Sequence, residues 1–180
     1  MLTIIAPSGS LAETIGRMVK TGHDFALPVA IVDALPIALA APLDALSDVD
    51  FEAGCIAPLA DLAAVIAQLL PDHRRLVLIG STAGFGDWDA AVLAAFAAGA
   101  TGLMRSAALE YASEGVSINM IALTSTDNAQ AEGAAALAAG LLTSGAVSGQ
   151  VIVCDGGINL RMRAARPRRG ISLPTACIEA

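Results

Sequence analysis

The sequence predicts an α/β fold, a parallel β-sheet covered by helices on both faces. Short apolar runs rich in Val, Ile and Leu alternate along the chain with segments that have helical spacing, a pattern typical of βαβ units. The runs are apolar throughout, which indicates strands buried on both faces. With 180 residues, 56% of them hydrophobic and 15% charged, the chain has the length of one domain and is too apolar for intrinsic disorder.

The first elements follow from local signals. Residues 2–5 form an apolar β-branched run, which predicts a strand. Ser10 can cap a helix over residues 11–20, and Gly22 ends it. Residues 26–32 are apolar again and predict a second buried strand.

The middle of the chain continues the alternation. Residues 36–41 are apolar and are a candidate for a further strand. Residues 52–70 have helical spacing that stops at Pro71, and residues 75–79 give a strong buried-strand signal. A flexible Gly-rich loop over residues 80–86 follows that strand.

The last third supplies two more βα pairs. Residues 90–112 predict a long helix rich in small side chains, and residues 116–122 predict a strand. A helix over residues 127–142 and a final strand over residues 151–154 complete the pattern.

Charge divides the chain into two parts. Residues 1–160 are strongly acidic, and residues 161–180 carry five arginines against the single acid Glu179. An acidic body argues against nucleic-acid binding. For the basic tail we expect a solvated, partly disordered terminus, with docking on a partner subunit as the alternative. The predicted organisation is therefore a domain over residues 1–160 and a basic tail over residues 161–180.

The composition also indicates the cellular compartment and the oligomeric state to expect. The uncharged stretches 90–104 and 133–154 are interrupted by glycine or polar residues, so neither predicts a membrane span. The start of the chain has no basic region of a signal peptide. Three cysteines, Cys55, Cys154 and Cys177, are widely separated and odd in number, which favours a reducing cytoplasm and no zinc site. The apolar surplus favours an oligomer.

Three segments resemble the short-chain dehydrogenase/reductase family. GLMRSAALE over residues 102–110 leads into GVSIN over residues 115–119, like the family's long helix and the strand after it. SGQVIVCDGG over residues 148–157 resembles the family's last strand with its flanking glycines. LVLIGSTAG over residues 76–84 is similar to the strand before the catalytic serine. The resemblance implies a shortened, three-layer Rossmann-like, doubly wound parallel sheet.

The resemblance implies a dinucleotide site that this chain has largely lost. The Gly-rich turn that approaches the pyrophosphate in the family is APSGSL here, in which only Gly9 remains and Leu11 replaces the last glycine. The family's Asn-Asn-Ala-Gly segment has no counterpart, the nearest stretch being residues 38–41. Leu123 and Thr124 stand where the family has the Pro-Gly that contacts nicotinamide. We therefore expect no cofactor on this chain.

The catalytic group of the family is missing as well. Its Tyr transfers the substrate proton, a Lys four residues later lowers the Tyr pKa, and a Ser polarises the substrate. Counting back from residues 102–103 places Leu93 at the Tyr position and Ala97 at the Lys position, and Pro58 stands for the structural Asn. Only Ser81 matches, and a serine with no acid or base beside it is expected to be a turn residue.

The parts of the family's structure that this chain retains are those that form subunit interfaces. In the family, the helices that correspond to residues 52–70 and 90–112 form a four-helix bundle across a dimer interface, and the last strand forms a second interface. Intrachain core packing is the alternative for each residue. The candidate interface residues are Ala94, Ala98, Gly99, Gly102, Val151 and Val153.

The sequence therefore predicts a non-catalytic subunit. It would pair, as a hetero-dimer or hetero-tetramer, with an active homologue that binds NAD(P) and interconverts an alcohol and a ketone, an acyl thioester being one candidate substrate. Three alternatives stay open: a rewired cofactor-independent enzyme around Ser81, a nucleotide-sensing module, and RNA binding by the tail. Asp87, Asp89, His23 and His73 are the other candidate residues of a rewired site. We expect the two aspartates to cap the long helix and the two histidines to lie at the surface, which argues against this enzyme.

Overall fold

The apolar runs form one sheet of five parallel strands in the computed structural model, which describes residues 1–35, 43–87, 90–124 and 128–158. The spatial order of the strands is the same as their order along the chain. The candidate strand over residues 36–41 and the basic tail lie outside the described residues. The strands are β1 (Leu2–Ile5), β2 (Val29–Asp33), β3 (Arg75–Ser81), β4 (Ser117–Leu123) and β5 (Val151–Val153).

The helices also begin and end close to their predicted bounds. The segment predicted as one helix over residues 52–70 starts earlier, and a π-helical turn at Glu52–Ile56 joins its two α-helical parts. Ser47 and Asp50 form a capping box at its start. The helices are α1 (Leu11–Gly22), α2 (Asp48–Phe51), α3 (Ala57–Leu69), α4 (Ala91–Glu110) and α5 (Asn128–Thr143).

Each face of the sheet has its own hydrophobic core. Alternate strand residues such as Leu78 and Met120 pack against α3 and α4 on one face. Their neighbours along the strands, such as Ile79 and Ile121, pack against α1 and α5 on the other. The fold class predicted from the sequence, an α/β sheet with helices on both faces, is therefore confirmed.

The strand order gives the fold an unusual handedness. All four connections move one strand in the same direction across a parallel sheet, yet α1 and α5 cover one face while α3 and α4 cover the other. Two connections must therefore have the opposite hand to the other two, although such crossovers are nearly always right-handed. A doubly wound sheet avoids this by reversing its strand order beside β1. Among the described strands there is no such reversal, and β1 lies at the edge.

Helix α4 approaches its neighbours closely where glycines allow it. A Cβ added to Gly99 would lie 2.6 Å from Leu59 Cδ1 of α3, and one added to Gly54 would lie 2.5 Å from Val92 Cγ1. Gly99 and Gly54 therefore set the distance between α4 and the α2–α3 segment.

Candidate functional site

In open α/β sheets, ligands bind beyond the carboxyl ends of the strands, where the strand order reverses. In this chain that edge is formed by the segments after β1, β2, β3, β4 and β5. No reversal is found among the described strands, and the strands that the doubly wound order 3-2-1-4-5-6 places beyond β1 have no described counterpart. Among the described strands, none lies on the side of β1 where the strand order would reverse.

The turn before α1 binds a carboxylate of the chain itself. Gly9, with a φ of 77°, donates its backbone N–H to Glu13 Oε2 at 2.5 Å. Ser10 caps the helix, its hydroxyl accepting from the Glu13 N–H at 3.1 Å. The Gly9 amide, and after it the Arg17 guanidinium, lower the pKa of Glu13. A helix N-terminus of this kind can hold a phosphate, but here an ionised side chain already occupies one backbone donor of the turn.

A second carboxylate lies beside this turn. Asp33 ends β2, next to β1 in the sheet, and accepts a hydrogen bond from the Leu35 N–H at 2.8 Å. Burial raises the pKa of Asp33, while hydrogen bonds from the Leu35 amide and the Ser10 side chain act in the opposite direction. Because β2 fills the place of the fourth strand in the doubly wound order, Asp33 stands at this point of the edge. The segment 38–41, predicted to be the nearest counterpart of the family's Asn-Asn-Ala-Gly, lies outside the described residues.

Hydrogen bonds between threonines tie the middle of the edge together. Thr82, after β3, and Thr124, after β4, are joined through their hydroxyls at 2.9 Å. The Thr124 hydroxyl also donates to Asp155 Oδ2 at 3.4 Å, and Asp155 is 4% exposed. Asp155 Oδ1 accepts the Gly157 N–H at 2.8 Å. This chain of contacts links the ends of three strands at the edge where open α/β sheets bind ligands.

Ser81 uses its hydroxyl within the backbone. Its Oγ accepts the Ala83 N–H at 3.1 Å and caps the 3-10 turn Thr82–Phe85. No described His, Lys, Asp or Glu side chain forms a hydrogen bond or ion pair with it in the structure. Ser81 thus has the geometry of a turn residue.

Apolar side chains stand at the two positions that correspond to the family's Tyr and Lys. Leu93 is half-buried in the first turn of α4. Ala97 is 2% exposed, and a Cβ added to Gly84 would lie 3.2 Å from the Ala97 backbone. The loop after β3 therefore covers Ala97 and leaves no space for a longer side chain.

Two smaller predictions about this region are wrong. The N-cap of α4 is Ala90, which makes no side-chain cap hydrogen bond, so Asp87 is not its cap residue. The predicted role of Asp89 lies outside the described residues. His73 is buried and not at the surface. Its ring nitrogens contact Leu69 O at 3.0 Å and Thr3 Oγ1 at 2.9 Å, which makes it a satisfied core histidine. His23 is exposed, as predicted.

The described residues hold no group of three or more His, Cys, Asp or Glu side chains that could bind a metal ion. Cys55 is buried and Cys154 is partly buried. Burial raises the pKa of both thiols, and the charge of Asp155 adds to the effect at Cys154. Both cysteines are therefore poor nucleophiles.

The candidate interface residues on α4 differ in what they contact. Gly99 packs against Leu59 inside the chain, and Ala94 is half-buried. Ala98 and Gly102 face outward, and a Cβ added to Gly102 would meet no atom within 4 Å. Gly102 therefore has no intrachain packing reason to be glycine. Val151 and Val153 are half-buried on β5, the other edge strand of the described sheet.

Helix α4 is also the one described helix long and apolar enough to cross a membrane by length and composition. It packs on the sheet through buried residues that include Phe96, Ala100 and Met104. Apolar residues of this kind are what a sheet-covering helix requires.

Three solved structures show what the fold is similar to. Acetoin dehydrogenase from Enterobacter cloacae is 20% identical with a TM-score of 0.65, over 87% of this chain and 72% of that chain. A 4-hydroxyisoleucine dehydrogenase complexed with NADH and succinate is 14% identical with a TM-score of 0.68, over 89% of this chain and 100% of that chain. This chain has the fold of the short-chain dehydrogenases.

The short-chain dehydrogenase fold does not decide the activity. A halohydrin dehalogenase bound to ethyl (2S)-oxiran-2-ylacetate is also similar, 18% identical with a TM-score of 0.60 over 83% of this chain and 75% of that chain. No protein-family model and no curated protein matches the sequence. The same fold thus serves different reactions, and the function of this chain has to be argued from its own residues.

Sequence reasoning missed two features of the site. The contact of Glu13 with Gly9 had a visible signal, since Ser10 and Glu13 have the spacing of a helix-capping motif. The link between Thr82, Thr124 and Asp155 had none, because the three residues are far apart in sequence and meet only through the strand order.

Proposed function

We propose that this chain is a non-catalytic subunit of a cytoplasmic oxidoreductase. It pairs with an active, NAD(P)-dependent short-chain dehydrogenase homologue in a hetero-dimer or hetero-tetramer that interconverts an alcohol and a ketone. The observation that carries the proposal is the Glu13 carboxylate on the Gly9 N–H. A dinucleotide pyrophosphate at this turn would have to displace that carboxylate and would meet Asp33 beside it, so like charges oppose its binding.

The residues at the positions that correspond to the family's catalytic groups support the same proposal. General acid–base catalysis needs a titratable group within hydrogen-bond reach of the substrate. The positions that correspond to the family's acid and its lysine hold Leu93 and Ala97, and Ala97 is covered by the loop after β3. Ser81 caps a turn. In the proposed complex, the nucleotide and the proton-transfer groups belong to the partner.

The pairing part of the proposal is supported by the outer faces of α3 and α4. Small residues such as Ala60, Ala64, Ala98 and Gly102 are exposed there, and small side chains let two helices approach at the short end of the usual range of about 8–10 Å. In the related family these two helices build the dimer interface. An open glycine at 102 fits a helix that is covered by another subunit.

Purification of the tagged chain from the cells in which it occurs tests the proposal. We expect a dehydrogenase of the same fold to co-purify in a stoichiometric amount, with the family's Tyr and Lys at the positions of Leu93 and Ala97. Mass spectrometry identifies this partner, and native mass measurement gives the stoichiometry. A tagged variant with Gly102 replaced by Trp is the matched control and is expected to lose the partner. A soluble homo-oligomer without such a partner would contradict the proposal.

A further inference from the structure

A groove opens between the C-terminal ends of α3 and α4, on the same outer surface. Its volume is about 170 Å³. Buried or half-buried apolar side chains, Ile66, Leu70, Leu103 and Tyr111, form its floor, and the exposed Glu110 carboxylate lies at its rim. Small-molecule sites are usually about 300–1,000 Å³, so the groove has the size of a single side chain.

Groups with negative or partial negative charge lie at one end of the groove. Helices α3 and α4 both end beside it, and neither has a basic residue in its last turn. The carbonyl ends of helices carry partial negative charge and favour a cation. Glu110, in the last turn of α4, adds a full negative charge at the same place. A long side chain with an apolar stem and a cationic head would satisfy both the floor and the rim.

On this basis we propose that the groove binds a lysine or arginine side chain from the docking helix of the dehydrogenase partner. The stem lies on Leu70, Leu103 and Tyr111, and the ammonium or guanidinium group pairs with Glu110. This inference rests on the proposed function, since it assigns a chemical feature to the partner that the proposed complex requires.

Charge favours such a partner over a second copy of this chain. Residues 1–160 hold sixteen acidic and five basic side chains. The exposed charged residues of α3 and α4 are Asp61, Arg105 and Glu110, an acidic excess that a two-fold dimer would double. Like charges across an interface suppress pairing, and complementary charges steer it. A basic partner surface is therefore complementary in charge to α3 and α4, whereas the same acidic surface of a second copy is not.

The test measures association of the purified chain with the co-purified dehydrogenase by calorimetry at low and high salt. We expect Glu110→Lys to weaken the complex by about tenfold or more and Glu110→Gln to weaken it less. The matched control is Glu114→Lys, which makes the same charge change at an exposed acid outside the groove, and it is expected to bind like the unmodified chain. A Lys or Arg to Glu change on the partner's docking helix should restore binding of the Glu110→Lys variant.

The other outcomes overturn the inference in different ways. Equal binding by the Glu110→Lys and Glu114→Lys variants, in a complex that still forms, removes the groove's role and leaves the proposed function intact. A homodimer of the chain alone that Glu110→Lys disrupts would place a second copy in the groove. Failure to obtain any dehydrogenase partner would overturn the proposed function and this inference with it.

Discussion

Replacing Gly102 by Trp is expected to lower the affinity for the dehydrogenase partner by about a hundredfold or more, while the chain itself stays folded. No intrachain atom lies within 4 Å of a Cβ at this position, so the indole has space in the isolated chain. Between two packed helices it would force the axes apart, because the distance between helices depends on the side chains at the contact. Calorimetric titration of the partner, together with circular dichroism of the variant alone, measures both effects.

Gly140 supplies the control for this prediction. It is an exposed glycine near the end of α5, a Cβ there also meets no atom within 4 Å, and α5 covers the opposite face of the sheet. Gly140→Trp is expected to leave the affinity for the partner unchanged. Equal losses of affinity in the two variants, or unchanged affinity in both, would mean that the surface of α4 is not the interface.

Replacing Ala97 by Lys, the residue that the resemblance places there in active relatives, is expected to lower the free energy of unfolding by about 3 kcal/mol or more. Ala97 is 2% exposed and packs against the loop at Gly84. Overpacking alone costs about 1–3 kcal/mol, and burial also penalises the ammonium charge. Urea denaturation followed by circular dichroism measures the difference.

Ala98 gives the comparison, since it is the next residue along α4 and is exposed. Ala98→Lys is expected to change the free energy of unfolding by about 0.5 kcal/mol or less. If the Ala97→Lys variant were as stable as the Ala98→Lys variant, the position would have room for a catalytic lysine, and the account of a closed site would be wrong.

Most of the fold could be predicted from the sequence because its signals are local. The apolar β-branched runs and the small-residue helices gave the strands and helices within a few residues of their observed bounds. The π-helical turn at Glu52–Ile56 had no local signal. Its Gly54 packs against Val92 of α4, a contact between residues far apart in the sequence. The strand order also had no local signal, because five similar apolar runs do not indicate which strands are neighbours in the sheet.

The sequence predicted the site mainly through the residues that differ from the family. Leu93 and Ala97 predicted a site without the family's Tyr and Lys, and Leu11 predicted a changed turn. The occupant of that turn could not be predicted in the same way, because the Glu13 contact depends on the side chain bending back to Gly9. The prediction for His73 was wrong because its side chain contacts Thr3, which lies 70 residues away along the chain.

The handedness of the connections supports the proposal that this chain binds no nucleotide. In a doubly wound order, the chain between α1 and the next central strand forms the strands on the far side of β1. Here α1 leads directly to β2, so β1 lies at the edge of the described sheet and α1 shares its face with α5. The described strands therefore include no place where the order would reverse. We propose that the chain has no cofactor site for this topological reason as well as because of single residues such as Leu11, while α3 and α4 pack on the sheet.

We propose that this chain binds no nucleotide and that its partner binds the nucleotide instead. Calorimetric titration of NADH and of NADPH into the isolated chain, and then into the purified complex, tests it most directly. The account predicts no heat of binding for the isolated chain and one nucleotide per dehydrogenase partner in the complex. Micromolar binding to the isolated chain, or one nucleotide for every subunit of the complex, would contradict it.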